Sequence, residues 1–306
     1  YLKYEVKVED WMRKERKHNL QTLETSLFAL PAVLLVVLMI YLPFVLSGYF
    51  SFTEWNGIDK EPVFIGFENF RRLFLGGDSF ISSLGFTLKF TVLSMILVNV
   101  FALALALALV KGLKSANVLR SLFFIPYIIS MTIVGFIWKF IFSQGFANFF
   151  EITGFSIFNY SWLGDPKLAF YSIVFVGAWQ SVGFYMVLYI AGLQSISKEI
   201  LEAAVVEGAG AWTKFFRVVL PLLGSSITTC VLLSLINSLK VFDIILALTK
   251  GGPGGATYSV TLDIYREAFQ NNNYGLGSAK SLVFFLLVLI LTQVVLKAFS
   301  TREVEL

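Results

Sequence analysis

Residues 86–110 read FTLKFTVLSMILVNVFALALALALV, an apolar run with a single charged side chain. A helix rises about 1.5 Å per residue and bilayer hydrocarbon is about 30 Å thick, so about 20 apolar residues span it. Such runs recur along the chain, and because they are continuous and not alternating, they predict helices and not barrel strands. The sequence therefore predicts an all-α integral membrane protein with six transmembrane helices. The predicted spans are 27–50, 86–110, 119–143, 168–194, 222–248 and 279–299.

The charge content also indicates a membrane protein. Only 14% of the 306 residues are charged, against about 25% in soluble proteins. The one cysteine, Cys230, excludes an intrachain disulfide, and the one histidine, His18, lies in a basic tail. We therefore expect no metal site and no Ser/His/Asp catalytic set. The net charge of +4 is small, and its basic residues lie near membrane edges, so no nucleic-acid partner is expected.

Lys and Arg are concentrated on one side of the predicted spans, which is the pattern of cytoplasmic loops. They crowd the tail 1–26 and the loop 195–221, whereas the longer loops of the opposite side hold fewer. Six spans place both tails, 1–26 and 300–306, in the cytoplasm. The segment 27–50 is too long for the apolar core of a signal peptide, so it is interpreted as a retained span.

Two features are expected at the membrane edges. The stretch from Phe64 to Phe74 has Phe67 and Phe70 at helical spacing beside two arginines, which predicts a short interfacial helix on the outer side. Three lysines near span ends are expected to extend their side chains to the interface. They are Lys89, Lys139 and Lys280.

A polar loop, EAAVVEGAGAWTKFFRVVLP at residues 202–221, separates the fourth and fifth spans. Its Glu-Ala-Ala start favours helix, and Gly208 and Gly210 favour a break. Pro221 is expected to open the next span, where its missing N–H costs nothing. The pattern predicts helix, sharp turn and helix along the membrane surface, with a small-residue tip that a soluble partner can approach.

This spacing resembles the EAA loop of ATP-binding-cassette (ABC) importer permeases, and further motifs resemble the carbohydrate-uptake branch of that family. Glu207 stands where the family usually has Asp, and Val218 where it usually has Ile; both changes are mild. The further matching stretches are residues 51–55 (SFTEW), 64–70 (FIGFENF), 123–127 (FFIPY), 137–138 (IW), 162 with 165–166 (W, DP), 191–194 (AGLQ), 242–243 (FD), 248–249 (LT) and 251–254 (GGPG).

The resemblance implies a type I ABC importer permease fold in the cytoplasmic (inner) membrane of a bacterium or archaeon. It implies a second homologous permease, two ATPase subunits and an extracytoplasmic solute-binding protein as partners, and a sugar as the transported solute. ATP and Mg²⁺ would belong to the ATPases, since the chain lacks a Gly-x-x-x-x-Gly-Lys-Ser/Thr phosphate loop and is not itself an enzyme. The implied ATPase-coupling residues are Glu202, Ala203, Ala204, Glu207, Gly208, Ala209, Leu220 and Pro221.

Polar side chains inside two spans are candidates for the sugar pathway, because they are costly in lipid unless they face protein, water or solute. Amides and hydroxyls can pair with sugar hydroxyls, and aromatic rings offer an apolar face. The alternative is that these side chains hold neighbouring helices together. The candidates are Gln180, Ser181 and Phe184 in the fourth span, and Ser234, Asn237, Ser238 and Val241 in the fifth.

Lys240 and Asp243 lie one turn apart in the fifth predicted span. We interpret them as an internal ion pair or gate contact; the alternative is that Lys240 meets an acidic saccharide or a glycerol-phosphate-type substrate. A secondary transporter that needs no ATPase would leave the 202–221 loop unexplained, and it would be expected to show inverted repeats. A purely structural membrane anchor would not need a polar stripe inside the fifth span.

Overall fold

The computed structural model describes residues 25, 27–75, 77, 79–110 and 114–300. Most of the two predicted cytoplasmic tails, 1–26 and 300–306, lies outside the described residues. The described chain is mainly helical, as its apolar runs predict. Its helices are α1 (Leu27–Phe50), α2 (Glu68–Leu75), α3 (Phe80–Val110), α4 (Ala116–Ile128), α5 (Met131–Thr153), α6 (Pro166–Ser195), α7 (Lys198–Val206), α8 (Ala211–Leu222), α9 (Gly224–Leu239), α10 (Asp243–Leu248), α11 (Val260–Tyr265) and α12 (Tyr274–Ser300).

Four of the long apolar helices correspond closely to predicted spans. α1 has the same bounds as the first span, and α3, α6 and α12 contain the second, fourth and sixth. By length and composition, five helices of the described chain can cross a membrane, or six if α8 and α9 count as one bent span. Short π-helical turns interrupt α1, α5 and α8 without ending them.

The third predicted span, 119–143, is not one continuous helix. Ile129 and Ser130 are extended, with ψ of 134° and 133°, and they separate α4 from α5. Pro126 lies in the last turn of α4 and cannot donate to the preceding turn. The break matters for the site, because it leaves the last carbonyl groups of α4 without helical donors.

The fifth predicted span, 222–248, is also wrong as a single helix. α8 and α9 meet at an angle of 69° around Leu223. Pro221 lies inside the last turn of α8, which ends at Leu222, so it does not open the straight segment, which begins at Gly224. α9 then stops at Leu239, and α10 follows after Lys240–Phe242. At this second break, the hydroxyl groups of Ser259 and Thr261 both donate to the carbonyl of Val241. Side-chain hydroxyls thus form hydrogen bonds with a backbone carbonyl in a stretch that the sequence pattern predicts to be helical.

The core lies where α3 and α6 pack along each other, with α9 and α10 beside them. Towards one end, small residues of α3, Ala102 and Ala106, allow close packing against Met186 and Tyr189 of α6. Towards the other end, α10 is buried on most of its surface and lies against α5. In contrast, the apolar residues of α1 are largely exposed.

The expectation that Lys280 extends to the interface is wrong. Its side chain is fully buried, and its Nζ lies 3.2 Å from Asp263 Oδ2 and 3.2 Å from Glu267 Oε2. The hydroxyl of Ser79 donates to the second carboxylate oxygen of Asp263 at 2.7 Å. A buried cation requires a paired negative charge. Both acids come from the segment that precedes α12, and hydrophobic periodicity along the sequence does not predict that this segment contacts Lys280. Lys89 is exposed and Lys139 is half-buried, so for these two the expectation stays a prediction.

A short antiparallel hairpin precedes α2 and was not predicted. Thr53 pairs with Phe64 and Glu54 with Val63. The amide of buried Asn69, on α2, donates to the carbonyls of Ser51 and Thr53 and ties the helix to the hairpin. The structure thus contains the helix predicted between residues 64 and 74, beginning at Glu68; its position at a membrane interface stays a prediction.

Candidate translocation pathway and coupling loop

A cavity of about 500 Å³ lies between α3, the α4–α5 break, α6, α9 and α10. It collects predicted pathway residues from segments far apart in sequence. They are Gln180, Ser181, Ser234, Asn237, Ser238 and Val241. The seventh, Phe184, does not line the cavity; its ring stacks on Tyr127, which does, with centroids 4.6 Å apart.

Gln180 is buried at the α4–α5 break. Its amide nitrogen donates to the carbonyls of Tyr127 at 3.4 Å and Ile129 at 3.2 Å. These bonds satisfy carbonyls that the helix end leaves free. Gln180 therefore holds α4 against α6, and its carbonyl oxygen is the part of the amide that remains able to accept a hydrogen bond from a solute.

Asn237 is oriented by a neighbouring tyrosine. Its amide nitrogen donates to the hydroxyl of Tyr185 at 3.2 Å. Its side-chain oxygen accepts no hydrogen bond from the described residues. Asn237 is exposed and lines the cavity. Asn237 thus presents an acceptor to the cavity while Tyr185 fixes the amide plane.

Ser234 fits the alternative interpretation, that polar side chains join helices. Its hydroxyl accepts from Asn99 on α3 at 2.8 Å and donates to its own helix, and Tyr189 on α6 donates to the other side of Asn99 at 2.7 Å. This network joins α3, α6 and α9 at the cavity wall. Ser181 donates to the carbonyl of Gly177 in its own helix.

Sequence reasoning missed Ser94 and Tyr127 as cavity residues. The Ser94 hydroxyl is buried and has no hydrogen-bond partner among the described residues, yet Ser94 lines the cavity. One signal was available: Ser94 shares one face of α3 with Thr87 and Thr91 in a run that is mainly apolar. Tyr127 closes the FFIPY motif, whose pathway role could not be inferred without knowing where the helix breaks.

The predicted Lys240–Asp243 ion pair is not present in the described part of the chain. α9 ends at Leu239, so the two residues do not share a helix face. Both side chains are exposed, and only Asp243 lines the cavity, at the first position of α10. The break between α9 and α10, which hydrophobic periodicity does not predict, separates the two charges.

The predicted helix, turn and helix form the loop between α6 and α9. Ser197 caps α7 by accepting from the backbone N–H of Ile200. Hydrogen bonds from the backbone N–H of Glu199 itself and from Ser197 hold the pKa of the Glu199 carboxyl below its usual range. After α7, Gly208 takes a left-handed φ of +81° with no atom near its missing Cβ, and the N–H of Ala209 closes the turn on the carbonyl of Ala204.

The predicted coupling residues fall into two separate groups. Glu202, Ala203, Glu207 and Gly208 are exposed at the α7 tip, Ala209 is half-buried, and Ala204 is buried behind them. Leu220 and Pro221 lie at the far end of α8, beside the 69° bend. They therefore shape the connection to α9 and are not part of the tip.

A bundle of membrane-length helices around a polar cavity, with one structured loop between two cavity-lining helices, defines a multi-pass transport permease. The chain belongs to the family described as binding-protein-dependent transport system inner membrane component, whose profile matches residues 99–303.

Relatives of this chain include permeases named for sugar transport and others named for sn-glycerol-3-phosphate transport. The probable starch degradation products transport system permease protein AmyD of Thermoanaerobacterium thermosulfurigenes is 37% identical over 280 residues, covering 92% of this chain and 95% of that protein. The multiple sugar-binding transport system permease protein MsmF of Streptococcus mutans is 34% identical, covering 90% and 95%. The chain is accordingly a carbohydrate-type ABC transporter permease.

The fold matches a solved structure. A chain of a bacterial alginate ABC transporter, crystallised with an alginate pentasaccharide-bound periplasmic protein, superimposes with a TM-score of 0.79 over 91% of this chain and 94% of that one, at 21% identity. The described helices therefore have the type I ABC importer permease fold.

Proposed function

We propose that the chain forms half of the pathway of an oligosaccharide importer, and that the α7 tip receives the ATPase. One observation carries the proposal: α7 and α8 join α6 directly to α9. Of these, α6 holds Gln180 at the cavity and α9 holds Asn237 there. A force applied to the tip therefore acts on both walls. In this proposal, a second permease completes the pathway, ATP and Mg²⁺ bind the two ATPase subunits, and a solute-binding protein delivers the sugar.

The cavity lining favours a neutral sugar over an acidic one. The oxygens of Gln180 and Asn237 and the carboxylate of Asp243 accept hydrogen bonds, and sugar hydroxyls are donors. No Lys or Arg is among the described residues that line the cavity, so this half offers no cation to a phosphate or a uronate. The exposed ring of Tyr127, backed by Phe184, offers an apolar surface for a sugar ring.

The charge distribution supports a cytoplasmic position for the α7 tip and for both termini. The small-residue turn at Gly208 supports docking there, because a partner can reach its backbone. Glu202 and Glu207 on the same exposed surface would meet basic residues of the ATPase.

Two substitutions test the coupling proposal in the assembled transporter. Gly208→Asp adds a charged side chain at the tip, and we expect loss of ATPase co-purification and of sugar uptake. Gly254→Asp is the matched control, because Gly254 also has a positive φ of +56° and open space at its Cβ, but lies in the loop predicted to be outside. Normal ATPase retention by Gly208→Asp would refute the docking position.

The substrate proposal is tested by identifying the solute-binding protein that co-purifies and measuring uptake of its ligands. We expect neutral oligosaccharides to be transported, and uronate or glycerol-phosphate competitors to leave uptake unchanged. Efficient uptake of an acidic saccharide would contradict the inference from the cavity lining.

A further inference from the structure

α8 is sharply bent away from the helix that follows it. Its axis makes an angle of 69° with α9, so if α9 crosses the bilayer, α8 lies nearer to the membrane plane than to its normal. The residues of α8 that follow the proposed docking tip are therefore placed along the membrane surface.

One face of α8 is aromatic and exposed. Trp212 is 77% and Phe216 54% exposed, and their rings stack with centroids 5.9 Å apart and planes 11° apart. Trp212 borders a groove of about 630 Å³ that is otherwise lined mainly by apolar side chains, including Val205, Phe215 and Val219. Leu107 of α3 also lines the groove, and it lies three residues before the end of that span, or about 4.5 Å along the helix axis. The groove thus lies at the edge of the hydrocarbon region.

Two cations accompany this groove. Lys214 lines it and Arg217 is exposed three residues further along α8. Neither makes an ion pair with a carboxylate of the described residues; the nearest acids in the loop, Glu202 and Glu207, lie exposed at the α7 tip. Aromatic rings at the headgroup level beside basic side chains are the arrangement that binds membrane surfaces.

We propose that α8 binds an anionic phospholipid of the inner leaflet, with an acyl chain in the groove and the phosphate on Lys214 and Arg217. Such a lipid matches both parts of the site: its acyl chain suits the apolar groove, and its negative charge complements Lys214 and Arg217. The site would fix the height of the coupling loop relative to the membrane. This proposal rests on the cytoplasmic orientation proposed above; the competing occupant is the surface of an ATPase subunit.

The first test uses the assembled transporter in phosphatidylcholine nanodiscs, with spin-labelled phosphatidylglycerol and spin-labelled phosphatidylcholine as probes. Each cation near a membrane surface contributes about a five-fold preference for anionic lipid. Lys214→Gln with Arg217→Gln should therefore lower the selectivity for anionic lipid at this site roughly twenty-five-fold. The control, Lys167→Gln with Lys198→Gln, removes the same charge away from the groove and should retain selectivity. Unchanged selectivity in the first variant would overturn the proposal.

The second test separates lipid from an ATPase surface. The fluorescence difference between the native transporter and Trp212→Phe isolates Trp212 from the other tryptophans. We expect chain-brominated phosphatidylglycerol to quench this difference signal and aqueous iodide to leave it unchanged. Quenching by iodide, or by neither agent, would refute a lipid-covered Trp212. ATPase co-purification is expected to persist in all these variants, so the lipid site can fail while the coupling proposal stands.

Discussion

Gly183 is the point where α6 touches the backbone of α4, and Gly183→Ala is expected to force the two helices apart. An added Cβ would overlap the carbonyl oxygen of Phe123 and lie 2.6 Å from its carbonyl carbon and 2.9 Å from Phe124 Cα. Ordinary contact begins at 3.4 Å, so the carbonyl carbon must retreat by 3.4 − 2.6 = 0.8 Å. The obstacle is backbone, which cannot rotate away as a side chain can.

The displacement has a consequence at the cavity. Gln180 holds the end of α4 through bonds of 3.4 and 3.2 Å, and a shift of that size would place them beyond hydrogen-bonding distance. Overpacking costs about 1–3 kcal/mol and each lost bond about 1 kcal/mol. We therefore expect the free energy of unfolding to fall by about 3–5 kcal/mol and sugar uptake to be reduced, because Tyr127 moves with α4.

The assay is thermal unfolding of the assembled transporter, together with sugar uptake in vesicles. Gly85→Ala is the matched control: it lies inside helix α3 and outside the cavity lining, and its Cβ would meet no atom within 4 Å. A Gly183→Ala transporter that unfolds and transports like Gly85→Ala would refute the close approach of α4 and α6 and the role assigned to Gln180.

Lys280→Met should lower the free energy of unfolding by about 3–5 kcal/mol, because it leaves the buried carboxylate of Asp263 and the partly buried carboxylate of Glu267 without their cation. Lys139→Met, at a half-buried lysine, should stay near the native unfolding temperature, and equal shifts would contradict the buried network. Ser94→Ala should leave stability unchanged, since the hydroxyl has no partner among the described residues, but it should raise the KM for sugar uptake. The control Thr91→Val, one turn away and outside the cavity lining, should change neither stability nor KM. An unchanged KM for Ser94→Ala would show that Ser94 does not contribute to the pathway. Asn69→Ala should cost about 1–3 kcal/mol by leaving two carbonyls unpaired, and should expose the β-hairpin to limited proteolysis; native resistance to the protease would refute that bracing role.

The candidate site was predictable where its residues are costly in lipid. Gln180 and Asn237 are conspicuous in apolar runs, and six of the seven predicted pathway residues do line one cavity. What each one bonds to was not predictable. Gln180 is tied to carbonyls that exist as free acceptors only because α4 ends at Ile128, and Ser234 is bonded to Asn99 on another helix.

By itself, the sequence determined the membrane class, most span positions, the helix–turn–helix of the 202–221 loop and the family, because these depend on local hydrophobicity, on charge and on the spacing of residues along one chain. Only the tertiary structure decided where the third and fifth spans break, that Lys280 is buried with Asp263 and Glu267, and that Lys240 and Asp243 are separate. These features depend on contacts between distant segments. A helix break is stable in apolar surroundings when side chains such as Gln180 and Ser259 replace the missing backbone bonds, and a lysine is stable inside the protein when acids from another segment meet it.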